Sequence, residues 1–246
     1  MKEWIGGKNP VYECLRACRR HFFRLLMAEG LQVNKRIQEI INLAEKNKLV
    51  IEKTPRTALS AICDHHQGIA LQTSAYPYAQ LDDIFSMAAK HGEKFLILLL
   101  DQIQDPQNLG TLLRSAELFG VHGILMPASR AAGVTPAVVQ SSSGASESLM
   151  IAQGNIVQAI DEVKSKNGWV IGLDMDSSSQ PLAQVDLSGN LALVVGGEGE
   201  GLRQLVKKKC DLLTHIPMTG TLDSLNAAVA GSIALYCASL QRKEKE

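Results

Sequence analysis

The 246 residues carry 25 basic and 25 acidic side chains, so no net charge draws the chain to nucleic acid or to a membrane surface. Apolar residues at 46% supply enough material for a core, while 4% aromatic residues argue against a surface built mainly to stack single-stranded bases. No apolar run reaches the roughly 18 residues that span a bilayer. "MKEWIGGKNP" lacks a signal-peptide core, and five cysteines without metal-ligand spacing fit a reducing compartment. A cytoplasmic protein without membrane or metal is expected.

Along the chain, Asn9-Pro10 can open a helix carrying Val11, Leu15 and Cys18 on one face. "HFFRLLMAEG" fits either a continued helix or a buried strand; the paired phenylalanines and the stop at Gly30 favour the strand. "NKRIQEIINLAEKNK" has the period of an amphipathic helix with Ile37, Ile40, Ile41 and Ala44 inward. "LVIE" and "GIALQTS" read as strands on either side of a short helix "PRTALSAICD". This alternation predicts a small α/β domain over 1–75. "AYPYAQLDD" breaks the pattern, so a linker is expected over 76–94, holding at most a short helix around Ile84–Ala89.

A second domain is expected over 95–246. "KFLILLLD" is apolar throughout, as a parallel strand covered on both faces should be. A helix to about Phe119, strand "GILMP", a helix around Thr135–Ser142, strand "SLMIAQ", helix "NIVQAIDEVKSK" and strand "WVIGLDM" follow. "LALVVGGEGEGL", "LRQLVKKKC", "THIPM" and "DSLNAAVAGSIALYCASLQRKEKE" continue as strand, helix, strand and long helix. Such a sheet binds ligands beyond the carboxyl ends of its strands, where the loops 101–114, 196–201 and 217–226 lie.

Read separately, these loops keep several meanings. "GGEGEGL" lacks the third glycine of a dinucleotide fingerprint and puts Glu198 and Glu200 where a pyrophosphate would sit; it fits a tight strand–helix turn or a pocket for a neutral or cationic ligand. In "IPMTGTLDSLN", Asp223 or Ser224 can cap the last helix, whose "AAVAGSIA" face lets another backbone approach. In "DPQNLGTLLRSA", Asn108 can be a helix cap and Arg114 a solvated charge, or both can serve a site. His65-His66, before "QG", reads as structural or substrate-facing rather than metal-binding.

Together the stretches resemble one family. "DPQNLGTLLRSA", "GGEGEGL" and "IPMTGTLDSLNAAVA" are similar, in order and spacing, to motifs one, two and three of the SpoU (TrmH-type) RNA ribose methyltransferases. "GGKNPVYECL" and "HHQGIAL" resemble the N-terminal RNA-binding domain of the branch that methylates a guanosine in bacterial 23S rRNA. The resemblance implies a SPOUT parallel sheet with a C-terminal deep trefoil knot, preceded by an L30e-like α/β domain. It also implies a homodimer, with the small-residue face of the last helix at its interface. Carried over by position, the S-adenosylmethionine pocket comprises Gly196, Gly197, Glu198, Gly201, Ile216, Met218, Ser224, Leu225 and Asn226. The catalytic set comprises Asn108, Arg114, Glu198, Ser224 and Asn226.

The chemistry agrees with that set. A ribose 2′-hydroxyl is a poor nucleophile, and arginine, which stays protonated, serves it through charge rather than as a base. Arg114 is therefore expected to grip an RNA phosphate and lower the cost of the alkoxide. Arg16, Arg19 and Arg20 cluster in the N-terminal domain as candidate phosphate contacts, or as ordinary solvated charges. A tRNA acceptor, a non-catalytic RNA-binding or ribosome-assembly module on the same fold, and a nicotinamide-dependent dehydrogenase stand as alternatives.

Overall fold

The computed structural model describes residues 2–197, 201–221 and 224–243. The chain divides into two units, one comprising the residues up to Pro77 with Val134–Ser148, the other Tyr78–Gly133 with the residues from Leu149 onward.

In the first unit, β1 (Lys2–Gly6) pairs antiparallel with β4 (Ile69–Ser74), β4 antiparallel with β2 (Phe22–Ala28), and β2 parallel with β3 (Ile51–Thr54). "HFFRLLMA" is thus a strand, buried at Leu25–Ala28 between two neighbours. β1 was not expected: five residues at a sheet edge carry too little periodicity. α1 (Lys8–Ala17) packs on α2 (Lys35–Lys46), which Asn34 caps by accepting from the Ile37 N–H (3.0 Å) and which buries Ile37, Ile40 and Ala44. α3 (Arg56–Ile62) closes the unit over β2.

Residues 134–148, expected in the second domain, pack here instead, with α6 (Pro136–Ser141) on β1 and α7 (Ala145–Ser148) on α1. A buried ion pair lies within this packing. The Arg20 guanidinium, wholly buried, donates through Nε and Nη2 to both Glu147 oxygens (2.8 and 2.9 Å) and through Nη1 to Glu3 (2.8 Å) and the Ser74 carbonyl (3.1 Å). Burial opposes its charge, but Glu147 outweighs burial and holds Arg20 protonated beyond its ordinary range. The adjacent Cys14 thiol is pushed up first by burial and then by Glu147. Above the pair, the Tyr76 hydroxyl donates to the Ser146 carbonyl (3.1 Å), and burial raises its pKa to about 12. The serines of "QSSSGAS" serve the same packing, Ser142 Oγ donating to the Val139 carbonyl (3.2 Å).

The second unit begins inside the expected linker. α4 (Leu81–His91) starts at a Gln80/Asp83 capping box, ends at Gly92, and buries Ile84, Phe85 and Ala88 in the core. Seven strands follow in the spatial order β7-β6-β5-β10-β8-β11-β9, every pairing parallel. They are β5 (Leu96–Asp101), β6 (Gly123–Met126), β7 (Ile151–Gln153), β8 (Trp169–Leu173), β9 (Gln180–Pro181), β10 (Leu191–Gly196) and β11 (Leu212–His215). β9, two residues long, left no pattern to read. β11 ends at His215, so Ile216 and Met218 lie in the loop beyond it.

Strand alternation sends Ile97, Leu99, Ala192 and Val194 to one face, under α4, α8 (Ile156–Ser165) and α9 (Gln204–Lys209). Val195 faces the other way, toward α5 (Pro106–Leu118) and α10 (Ala227–Lys243). Ala228, Gly231, Ala234 and Ala238 of α10 are buried within the chain. A Cβ on Gly231 would lie 2.5 Å from Leu112 of α5 and 3.2 Å from Val195. Among the described residues, no helix is long and apolar enough to cross a membrane.

Arg20→Ala strands Glu147 in the interior and is expected to cost about 3–5 kcal/mol. Arg16→Ala removes a half-exposed partner of Glu13 and should cost under about 1 kcal/mol. Midpoints of denaturant unfolding distinguish the two.

Candidate functional site

The chain steps from β5 to β6 and β7 on one side of the sheet and reaches β10 on the other, so β5 and β10 flank a topological switch point. Their carboxyl ends are in contact: a Cβ on Gly197 would lie 2.8 Å from the Gln102 carbonyl oxygen. The glycine loop closes on itself, the Gly201 N–H donating to the Gly197 carbonyl (3.2 Å). At Gly196 a Cβ would stand 2.3 Å from the Gly201 carbonyl, so no side chain fits there. Glu198, expected in both the catalytic and the cofactor sets, lies outside the described residues, as does Asp223.

Two carboxylates fix the return of the chain into α9. Asp101, buried at the end of β5, accepts from the Arg203 backbone N–H (2.9 Å) and from Arg203 Nε (2.7 Å). Asp174, just past β8, accepts from the Leu202 N–H (3.2 Å) and Lys207 Nζ (2.7 Å). The loop readings passed over both, although each ends an apolar run, "FLILLLD" and "WVIGLD", at the rim where ligands bind.

Beneath the loop is a cavity of about 290 Å³ between the ends of β8, β10 and β11 and the start of α10. Seven of the nine residues expected there line it: Gly196, Gly197, Gly201, Ile216, Met218, Ser224 and Leu225. Asp174, Thr214 and His215 line it too and were not anticipated. Asn226 instead caps α10: its Oδ1 accepts from the Ala228 and Val229 N–H groups (3.0 and 3.2 Å), and its Nδ2 donates to Asn108 Oδ1 (3.0 Å).

That last bond joins the first and third loops. Asn108 is not the cap of α5; Asp105 is, accepting from the Asn108 N–H (2.8 Å). The two residues are three apart, and either type can cap. Asn108 lines a second cavity of about 430 Å³ with Gln102, Gln104 and Asp105, and this cavity shares Gly197 and Gly201 with the first. Arg114 stands exposed farther along α5 and lines neither cavity.

The expected phosphate-contacting arginines fare unequally. Arg20 is a correction: its guanidinium is buried between Glu147 and Glu3 and has no surface to offer RNA. Arg19 donates to the Tyr76 hydroxyl (3.0 Å) and the Pro77 carbonyl (3.2 Å). Arg16, 51% exposed, pairs with Glu13 at 2.6 Å.

Comparison with known proteins gives a consistent picture. The model of the SpoU rRNA Methylase family matches residues 95–236, and that for RNA 2′-O ribose methyltransferase substrate binding matches residues 4–79. YacO of Bacillus subtilis, assigned to the TrmH family of tRNA/rRNA methyltransferases, is 39% identical over 95% of this chain and 94% of its own. An uncharacterized tRNA/rRNA methyltransferase of Mycobacterium leprae is 40% identical over 98% of this chain and 78% of its own. The crystal structure of the SpoU methyltransferase AviRb from Streptomyces viridochromogenes in complex with the cofactor AdoMet superposes with a TM-score of 0.81 at 25% identity, covering 99% of this chain and 91% of that one.

Gly196→Ala must displace the backbone at 201–202, where Asp174 anchors it. We expect a loss of about 1–3 kcal/mol, the usual range for overpacking, measured by denaturant unfolding. Gly220→Ala, with nothing within 4 Å of the added methyl, serves as the neutral control.

Proposed function

The chain belongs to the SpoU rRNA methylase family and, with it, is an RNA methyltransferase that uses S-adenosylmethionine; we propose that its acceptor is the ribose 2′-hydroxyl of a guanosine in 23S rRNA. The observation that carries this reading is the convergence of three loops on two cavities that share Gly197 and Gly201. One cavity suits the methyl donor, the other the acceptor nucleotide.

The first cavity fits the cofactor chemically. Gly196, Gly197 and Gly201 offer backbone rather than side chains, and Ile216, Met218 and Leu225 offer apolar walls for an adenine. Asp174, which also lines it, would repel a pyrophosphate but tolerates a ligand whose charged centre is cationic. This weighs against a nicotinamide dinucleotide. When bound, the cofactor supplies a methyl group activated by a sulfonium.

The rest is the work of the chain's own residues. Asn226 caps α10 and, through the same amide, holds Asn108 at the rim of the acceptor cavity. Asn108 orients the ribose by neutral hydrogen bonds, which do not compete for a cationic methyl donor. Arg114 grips the neighbouring phosphate with its fork and stabilises the developing alkoxide, while the proton leaves to phosphate or water. Ser224, at the mouth of the cofactor cavity, and Glu198 complete the polar set.

We further propose a homodimer. Val229, Tyr236 and Leu240 form an apolar stripe on the outer face of α10, each 44–49% exposed. The loops after β10 and β11 would form the trefoil knot. All five cysteines are free thiols, which suits a cytoplasmic location.

Labelled methyl transfer to 23S rRNA lacking its ribose modifications, with transfer RNA in parallel, tests the reading. We expect incorporation into one guanosine of the ribosomal RNA, mapped as an alkali-resistant linkage. Incorporation only into transfer RNA moves the substrate to the second reading, which the tRNA/rRNA names of the relatives admit. Arg114→Lys is expected to lower kcat by about 10²-fold with cofactor binding intact. Near-wild-type turnover would remove the bidentate argument.

A further inference from the structure

The first unit contains a cavity of its own, of about 400 Å³, outside the site described above. We propose that it holds one unpaired nucleotide of the substrate RNA, with Asp64 and Gln140 reading the base edge, His65 stacking on the base, and Arg56 on the phosphate. The proposal rests on the RNA methyltransferase reading and deepens it.

Two stretches far apart in sequence line the cavity. α3 and the loop after it supply Arg56, Asp64 and His65, and α6 supplies Gln140. Gly6 and Gly7 allow them to come together. A Cβ on Gly6 would lie 2.2 Å from Cys63 Sγ, and one on Gly7, whose φ is +92°, 3.1 Å from Gln140 Oε1. The "GGKNP" and "HHQG" stretches thus meet at one place.

The loop is also held in a costly conformation. His65 and Gln67 have φ of +53° and +50°, which ordinary L-residues avoid. Specific bonds hold it there: the Gly7 and Ile69 N–H groups donate to the His66 carbonyl (3.2 and 2.9 Å), and the Lys8 N–H donates to Gln67 Oε1 (3.1 Å). The result aims His65 and Asp64 outward, both exposed.

The histidine pair divides its labour. His66 Nδ1 accepts from the Gly68 N–H (3.0 Å), so Nε2 carries the ring proton and donates to Ser60 Oγ (3.1 Å); Ser60 in turn donates to the Arg56 carbonyl (3.2 Å). Both ring nitrogens are used, so His66 is a fixed, neutral floor rather than a metal ligand or a base. Burial, and then Arg56, hold its pKa below the usual histidine range.

The lining therefore balances one cation, Arg56, against one anion, Asp64. A bare phosphate or a polyanionic strand gains little from such a cavity. A nucleotide gains more: single-stranded bases stack on histidine and are read along their edges. A carboxylate accepts only, so it fits best an edge with two adjacent N–H donors, as the N1–H and N2–H2 of guanine provide. The volume lies within the range of small-ligand sites.

Arg56→Ala, Asp64→Asn and His65→Ala alter exposed side chains and are made in the full chain, with thermal melting to verify folding. In the methyl-transfer assay each is expected to raise KM for the RNA about tenfold, which corresponds to about 1.4 kcal/mol, with kcat and the KM for S-adenosylmethionine unchanged. Arg56→Ala should also reduce the salt slope of RNA binding by about one, and Asp64→Asn should leave it alone. Wild-type KM in Arg56→Ala and Asp64→Asn overturns the proposal, as does tighter RNA binding by Asp64→Asn, which would mark that carboxylate as merely repulsive. If the unaltered enzyme methylates no RNA, the parent reading fails and takes this one with it. If it methylates RNA and the variants match it, the pocket alone fails.

Discussion

The positions of Asp101 and Asp174 govern the catalytic unit. Each carboxylate ends a strand, each is nearly buried, and each accepts from a backbone N–H and a basic side chain at the start of α9. A buried carboxylate is costly unless its hydrogen bonds are made, and these four bonds supply them. They also determine where the chain must reappear after β10. Only glycine fits at 196, where a Cβ would lie 2.3 Å from the Gly201 carbonyl, and at 201, whose φ is +65° and where a Cβ would lie 2.9 Å from Asp174 Oδ2. The cavities on either side of Gly197 and Gly201 follow from that closure, with one wall common to both.

The same economy places Asn226 beside Asn108. α10 lies close to α5 because Gly231 makes room for Leu112, and Ser115 and Ser232 meet at 2.7 Å between the helices. That packing brings the first turn of α10 to the first turn of α5. Asn226 can then cap its own helix and still reach Asn108. A larger residue at 231 would separate the helices and disturb a bond that starts five residues away, at Asn226. One asparagine side chain thus caps a helix and joins two loops.

Much of this was legible in the sequence because apolar periodicity and turn residues are local signals. The parallel strands, the amphipathic helices and the glycine loop all come from such signals, and seven expected cofactor residues line one cavity. What escaped was non-local or too short. β1 and β9 have five and two residues at sheet edges. The proline and tyrosines of 75–80 masked the Gln80/Asp83 box that starts α4. The membership of 134–148 in the small unit is non-local, with Arg20 meeting a glutamate 127 residues away. A cluster of arginines in sequence says nothing of which one is buried, so Arg20 looked like a phosphate contact.

That burial bears on how a chain of zero net charge recognises a polyanion. Arg16 pairs with Glu13, Arg20 with Glu147 and Glu3, Arg24 with Glu52, and Arg36 with Glu39. These four arginines are answered by acids of the same unit, but its 12 Lys and Arg still outnumber its 8 Asp and Glu, so the zero net charge of the chain conceals an excess of +4 in the small unit. Non-specific affinity for nucleic acid comes mostly from such charge. The excess is carried by residues outside those pairs, Lys46, Lys48, Lys53 and Arg56 among them, all exposed, so phosphate attraction in this unit belongs to them rather than to the paired arginines.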